Sequence, residues 1–170
     1  AEHGTALCLD GAIQQDLARL QPAEREALRS TVNAPLHESM WNAAWMSDTA
    51  GNTLTYMGVV ASAREFAKFG YLYLRGGVWE GQQILSADWV SESTQPSQIM
   101  NPFYGYLWWL NTAGATWPNV PEDAFAAMGM NEKRIYVVPS LDIVAVRLGA
   151  PQAAWNDNAF LGRVCASVIE

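Results

Sequence analysis

The order of patterns along this chain predicts an α+β domain: helices first, an antiparallel β-sheet after them, and a closing helix. Three observations carry that prediction. In Lys133–Gly149 (KRIYVVPSLDIVAVRLG), two β-branched runs, Ile135 to Val138 and Ile143 to Val146, flank a Pro-Ser-Leu-Asp turn, which reads as an antiparallel hairpin. Ser62-Ala63-Arg64-Glu65 is a capping box, and Phe66, Phe69 and Tyr73 follow it at helical spacing. With 170 residues, half of them apolar, the chain is long enough for one domain with a core and short for two.

In residues 1–13 small and apolar residues mix without a clear period, and we read a helix running on through Gln14 to Leu20. Pro22 suits a first helical turn, and AEREALRS after it has Glu early and Arg late, so a second helix is expected to end near Asn33, before Pro35. Residues 36–56 read as loop, with Trp41, Trp45 and a turn cluster at 47–52. Asp48 and Asn52 lack the alternating acidic pattern of a calcium loop, so an Asx-turn is expected there. The capping-box helix spans about Ala63 to Leu74 and stops at Gly76 and Gly77. VWEGQQIL reads as a short ribbon, and Ser86 caps a helix through Ser93 with Trp89 and Val90 inward. Phe103 to Leu110 (FYGYLWWL) is read as an aromatic strand, closed by Asn111 and a loop to Pro121. A strand from Ala124 to Met128 precedes the hairpin, whose candidate buried residues are Ile135, Val137, Ile143 and Val144. Asn156 or Asp157 then caps a last helix with Phe160, Val164 and Val168 on one face.

Ten Lys and Arg against 17 Asp and Glu give a net charge of −7, and no basic cluster is present. That balance excludes nucleic acid and anionic membrane surfaces as expected partners. No run approaches the roughly 20 apolar residues needed to cross a bilayer. The chain starts at Ala1 without Met or a signal-like segment, and its compartment (periplasmic, secreted or cytoplasmic) stays open. Cys8 and Cys165 show no metal-ligand spacing, so they read as two free buried thiols or, in an oxidising compartment, as a bridge. No metal or other cofactor is expected. Eight Trp point to an aromatic core before a ligand cleft. His3 and His37 read as solvent-facing, and Glu132-Lys133-Arg134 as a solvated start of its strand.

Five blocks stand in an order that carries a family resemblance. They are Pro35-Leu36 ahead of a Trp…Asp48…Gly51 stretch, GVVASAREFAKFGYLYLRGG at 58–77, VWEGQQILSADWV at 78–90, FYGYLWWL at 103–110, and AMGMNEKRIYVVPSLDIVAVRLG at 127–149. From Pro35 onward the chain resembles the C-terminal part of the serine β-lactamase-like superfamily, in the branch of class C type β-lactamases, esterases and 6-aminohexanoate-oligomer hydrolases. The resemblance implies a partial β-lactamase/transpeptidase-like fold in which 35–170 is the C-terminal part of the domain and 1–34 a helical, poorly matched N-terminal segment. It also implies acyl transfer: a Ser attacks a carbonyl, a Lys three residues on and a Tyr move the proton, and backbone amides hold the oxyanion.

Neither Lys68 nor Lys133 has a Ser three places before it; Glu65 and Met130 stand there. No Tyr or Ser is followed two places on by Asn, so the chain reads as beginning after both catalytic motifs. The family's third motif maps to Phe125–Asn131, FAAMGMN, without Lys or His. No catalytic residue is therefore assigned. Gly129, Met130 and Asn131, with Tyr56 and Tyr104, are the candidate substrate-binding residues, against the plainer readings of turn and core. The functional expectation is the C-terminal portion of a hydrolase whose parent cleaves a small ester or amide, inactive alone. The alternative is a non-catalytic binding or oligomerisation module. In the family both ends of the chain share one sheet, so an open sheet edge and an apolar face are expected to need cover. A homodimer partner, a complementing N-terminal chain or the first 34 residues would supply it.

Overall fold

The computed structural model describes residues 5–9, 43–54 and 58–169. In chain order these form β1 (Thr5–Leu9), β2 (Ala44–Trp45), β3 (Val59–Val60), α1 (Ala63–Leu74), β4 (Val78–Trp79), β5 (Gln82–Gln83), α2 (Ala87–Ser93), β6 (Trp109–Leu110), β7 (Phe125–Gly129), β8 (Lys133–Val138), β9 (Ile143–Arg147) and α3 (Asp157–Ile169). Short 3₁₀ turns lie at Thr112–Gly114 and Pro139–Leu141.

One five-stranded sheet, in the order β1-β9-β8-β7-β6, forms the middle layer. The hairpin pairs as its sequence predicts, with Val138 opposite Ile143 and Arg134 opposite Arg147. Its burial does not follow a single inward face. Ile135, Val137, Val144 and Val146 join one apolar cluster with α1, while Tyr136, Val138, Ile143 and Ala145 join a second with Leu161 and Cys165 of α3. A helix lies on each side, so both alternating rows of the strands are core. The four candidate residues are all buried, but Ile143 faces the layer opposite to the other three.

Helix α1 starts where the capping box sits: Ser62 Oγ accepts from the Glu65 amide at 3.3 Å. The Glu65 carboxylate, itself buried, is taken up by Lys68 Nζ at 2.9 and 3.0 Å. Phe69 and Tyr73 pack on the buried Trp108, with Tyr73 and Trp108 ring centres 4.6 Å apart. Gly70 lets the helix approach the sheet, since a Cβ there would lie 2.7 Å from Val144 Cγ1 and 2.8 Å from Ile135 Cγ2. Gly77, at φ +86°, closes the helix through its amide to the Leu72 carbonyl at 2.8 Å.

Several elements differ from their sequence reading. Thr5–Leu9, read within a helical stretch, is a strand parallel to β9, with Thr5 opposite Ile143 and Leu9 opposite Arg147. The helices expected between 14 and 33 lie outside the described residues. The loop at 36–56 contains β2, which pairs with β3. FYGYLWWL is strand only at Trp109–Leu110, because Leu107 adopts a left-handed φ of +66°. Trp89 is 44% exposed and stacks on Tyr106 at 5.6 Å rather than pointing inward. Val168 is 47% exposed; the inner row of α3 is Leu161 and Cys165, with Phe160 and Val164 beside it. Asn156 is the cap of α3, its Oδ1 accepting from the Ala159 amide at 2.9 Å. Cys165 is buried and free.

Candidate functional site

The site begins at a gap in the sheet. β6 pairs with β7 only at Trp109–Ala126 and Leu110–Phe125. The Asn111 amide donates to the Ala124 carbonyl at 3.0 Å, which fixes the phase of the ladder. Backbone groups alternate in direction along a strand, so Ala126 faces β6 and Met128 presents its N–H and C=O to the same outer side. No described strand lies there beside Met128. The cause is local: the Gly105 amide takes the Trp108 carbonyl at 2.8 Å, and the left-handed Leu107 folds the chain back until Tyr104 bridges Trp109. A straight Leu107–Trp108 would have covered Met128.

Beyond Met128 the β7–β8 connection is Met130-Asn131-Glu132, with Asn131 and Glu132 both left-handed at φ +58° and +53°. Every carbonyl from Gly129 to Lys133 on this turn meets a donor. Arg134 Nη1 donates to the Gly129 and Lys133 carbonyls, both at 3.0 Å. Met130 O accepts from the Lys133 amide and from Lys133 Nζ, each at 3.4 Å. Arg147 Nη1 donates to Asn131 O at 3.3 Å and Glu132 O at 2.8 Å, while its Nη2 reaches Ala150 O at 3.2 Å. The Arg147 guanidinium lies 4.2 Å from the centre of the Trp155 ring, and the residue is 7% exposed.

Arg134 is also an ion-pair partner, contrary to its reading as a solvated residue. Its Nε donates to Asp157 Oδ1 at 2.8 Å, and the same oxygen accepts from Trp155 Nε1 at 3.1 Å and from the Tyr136 hydroxyl. Burial alone would push the Asp157 carboxyl up; the donors Arg134, Tyr136 and Trp155 outweigh it and hold the carboxyl below its ordinary 3.8. Burial, followed by the hydrogen bond to that carboxylate, pushes the Tyr136 phenol well above its usual range.

Of the residues singled out in the sequence, Gly129, Met130 and Asn131 come together at this exposed turn, with Met130 80% exposed. Tyr104 does not join them. It packs edge-on against Trp109 at 5.1 Å, outside β6 at the level of Ala126, about 10 Å across the sheet from β7. Tyr56 lies outside the described residues. Trp108 is core at 3% exposure, whereas Trp109 is 37% exposed. Asp48 makes the expected Asx-turn, its Oδ1 accepting from the Ala50 and Asn52 amides at 2.9 Å. Among the described residues no group of three His, Cys, Asp or Glu is placed to hold a metal ion. Arg134 and Arg147 were missed as contributors. Each acts on the turn through a cross-strand register that a linear pattern does not display.

No family model matches the chain. An uncharacterized protein of Alkalihalophilus pseudofirmus is 28% identical over 109 residues, covering 56% of this chain and 32% of its own length. A Bacillus anthracis protein assigned as a 6-aminohexanoate-dimer hydrolase aligns in structure with a TM-score of 0.55 at 20% identity, over 82% of this chain and 35% of its own. The two share a fold over most of this chain. A Bacteroides dorei protein assigned as a β-lactamase aligns at a TM-score of 0.49 and 13% identity, over 83% of this chain and 49% of its own. The α+β architecture expected from the sequence, a sheet between helices, is the one observed, with β1 joining the antiparallel strands in parallel. The chain spans about a third of the length of the first two proteins it matches.

Proposed function

We propose that this chain is the C-terminal portion of a β-lactamase-like serine hydrolase that opens an ester or amide through an acyl-enzyme. The observation that carries the reading is the Met128 backbone at the β7 edge, beside which no described strand lies, next to the Gly129–Asn131 turn where the family's third motif falls in the sequence. Outward amides at that edge suit the two tasks of this wall: pairing with the backbone or carbonyl of a bound acyl group, and holding the oxyanion that forms when a serine attacks it. The sequence holds no Ser-x-x-Lys and no Tyr-x-Asn. In this reading the nucleophile and base lie outside these 170 residues, on an N-terminal part of the same fold, and these residues alone turn over no substrate. A small amide or ester fits the reading, and the name of the Bacillus anthracis protein supports the amide.

The test mixes this chain with the N-terminal part of that Bacillus anthracis protein and follows p-nitrophenyl acetate and nitrocefin hydrolysis, with complex formation read by light scattering. The expected result is a stoichiometric complex and turnover absent from either chain alone. No complex and no turnover at any ratio would sink the proposal. A second reading, a non-catalytic binding or oligomerisation module, is favoured by the exposed Ile99, Met100 and Leu107, which are 98%, 92% and 76% accessible. Self-association of this chain without turnover in the mixture would select it.

A further inference from the structure

We infer that Arg147 is a positioning residue for the β7 edge: by holding the Asn131 and Glu132 carbonyls it fixes the β7–β8 turn and directs the Glu132 amide away from itself, toward a ligand's carbonyl or oxyanion. The inference rests on the hydrolase reading for the identity of the ligand, and on geometry alone for the orientation of the turn.

A trans peptide places its N–H opposite its C=O. Arg147 on Asn131 O therefore turns the Glu132 amide away from the guanidinium, and Arg134 on Gly129 O does the same for the Met130 amide. Among the described residues, the amides of Met130, Asn131 and Glu132 donate to no protein acceptor. The carbonyls of the turn are thus all taken, whereas three of its amides are free among the described residues. Cations against the carbonyl ends also polarise those peptides, which strengthens the free amides as donors.

Packing does not explain why arginine stands here. Arg147 lies directly opposite Arg134, and like charges opposite one another disfavour the pairing. Arg134 has Asp157 as its counter-charge, whereas Arg147 has no carboxylate partner among the described residues and is nearly buried. A buried guanidinium without a carboxylate is tolerated where other groups satisfy it. Here these are three backbone carbonyls and the face of Trp155. Only the planar fork of arginine serves two neighbouring carbonyls from one nitrogen and a third from the other.

The experiment uses the whole chain as wild type, Arg147→Met, which keeps an unbranched stem without the guanidinium, and Arg147→Lys. The first readout is nuclear magnetic resonance of the Met130, Asn131 and Glu132 amides, with Val137 in the core as the control for folding. In Arg147→Met the three turn signals should move and their couplings should leave the left-handed pattern, while Val137 stays in place. The second readout is ester hydrolysis with the complementing chain present. Arg147→Met should lower kcat about tenfold, less than deletion of an oxyanion donor, with KM near the wild-type value and part of the loss recovered in Arg147→Lys. Unmoved turn signals in Arg147→Met would overturn the inference, as would an unchanged kcat despite a displaced turn. If the wild-type mixture itself shows no turnover, the hydrolase reading fails separately, and the turn signals alone decide whether Arg147 sets the amides.

Discussion

Asp157 gathers three donors, two from β8 and one from just ahead of α3, and its charge is what makes the start of α3 and the first part of β8 one unit. Replacing it with Asn keeps the shape but leaves Arg134, whose side chain is 12% exposed, without a counter-charge. We expect Asp157→Asn to cost about 2–3 kcal/mol at neutral pH. The direction with pH follows from the depressed carboxyl. The wild type's advantage is present above the ordinary 3.8 and disappears as pH falls through the lower folded value. The gap between the urea midpoints of the two proteins should therefore narrow as pH falls through 3.8 and below, and a gap that stays constant down to about pH 2 would remove the charge as its cause. This pairing was not readable beforehand, because Arg134 and Asp157 are 23 residues apart and Glu132-Lys133-Arg134 is locally like any charged strand start. By contrast, the caps at Ser62 and Ser86 were readable, since each closes onto an amide three residues away.

At the scale of elements, FYGYLWWL shows what composition hides. Aromatic and β-branched content favours a strand, and nothing in the residue types announces that Leu107 will stand at φ +66°. Leucine in that conformation is strained by about 1 kcal/mol or more, and here it is also 76% exposed. Both costs bring the same gain: the chain turns away from β7 and leaves Met128 without a described strand beside it. Leu107→Gly should accordingly raise stability by about 1 kcal/mol, read as a shift of the unfolding midpoint. A loss of stability would mean that the exposed leucine makes contacts that outweigh its strain. Elements with a period or a stop signal of their own were read closely: α1 between its cap and Gly76, β7 within one residue at each end, and the β8–β9 hairpin. The short α2 was placed correctly but rotated, because seven residues offer one inward row and Val90 and Ser93 fill it.

For the whole molecule, the order of the blocks announced the architecture, and what escaped was whatever depends on long-range pairing. That the hairpin is buried on both faces follows from α1 and α3 lying on opposite sides of the sheet, which no single stretch declares. The parallel pairing of β1 with β9 escaped for a related reason, since a parallel partner can be any distance away. That pairing has a kinetic consequence. β7, β8 and β9 are joined by tight turns and can meet early, whereas β1 must close a loop reaching from Thr5 to Ile143. Weakening the hairpin core with Val137→Ala should slow refolding, while weakening β1 with Ala6→Gly should mainly quicken unfolding, as stopped-flow rates would show. Slower refolding in Ala6→Gly would place β1 in the folding nucleus. Otherwise β1 is a late latch, laid down once the sheet it borders already stands, and the half of the sheet that bears the open edge forms without it.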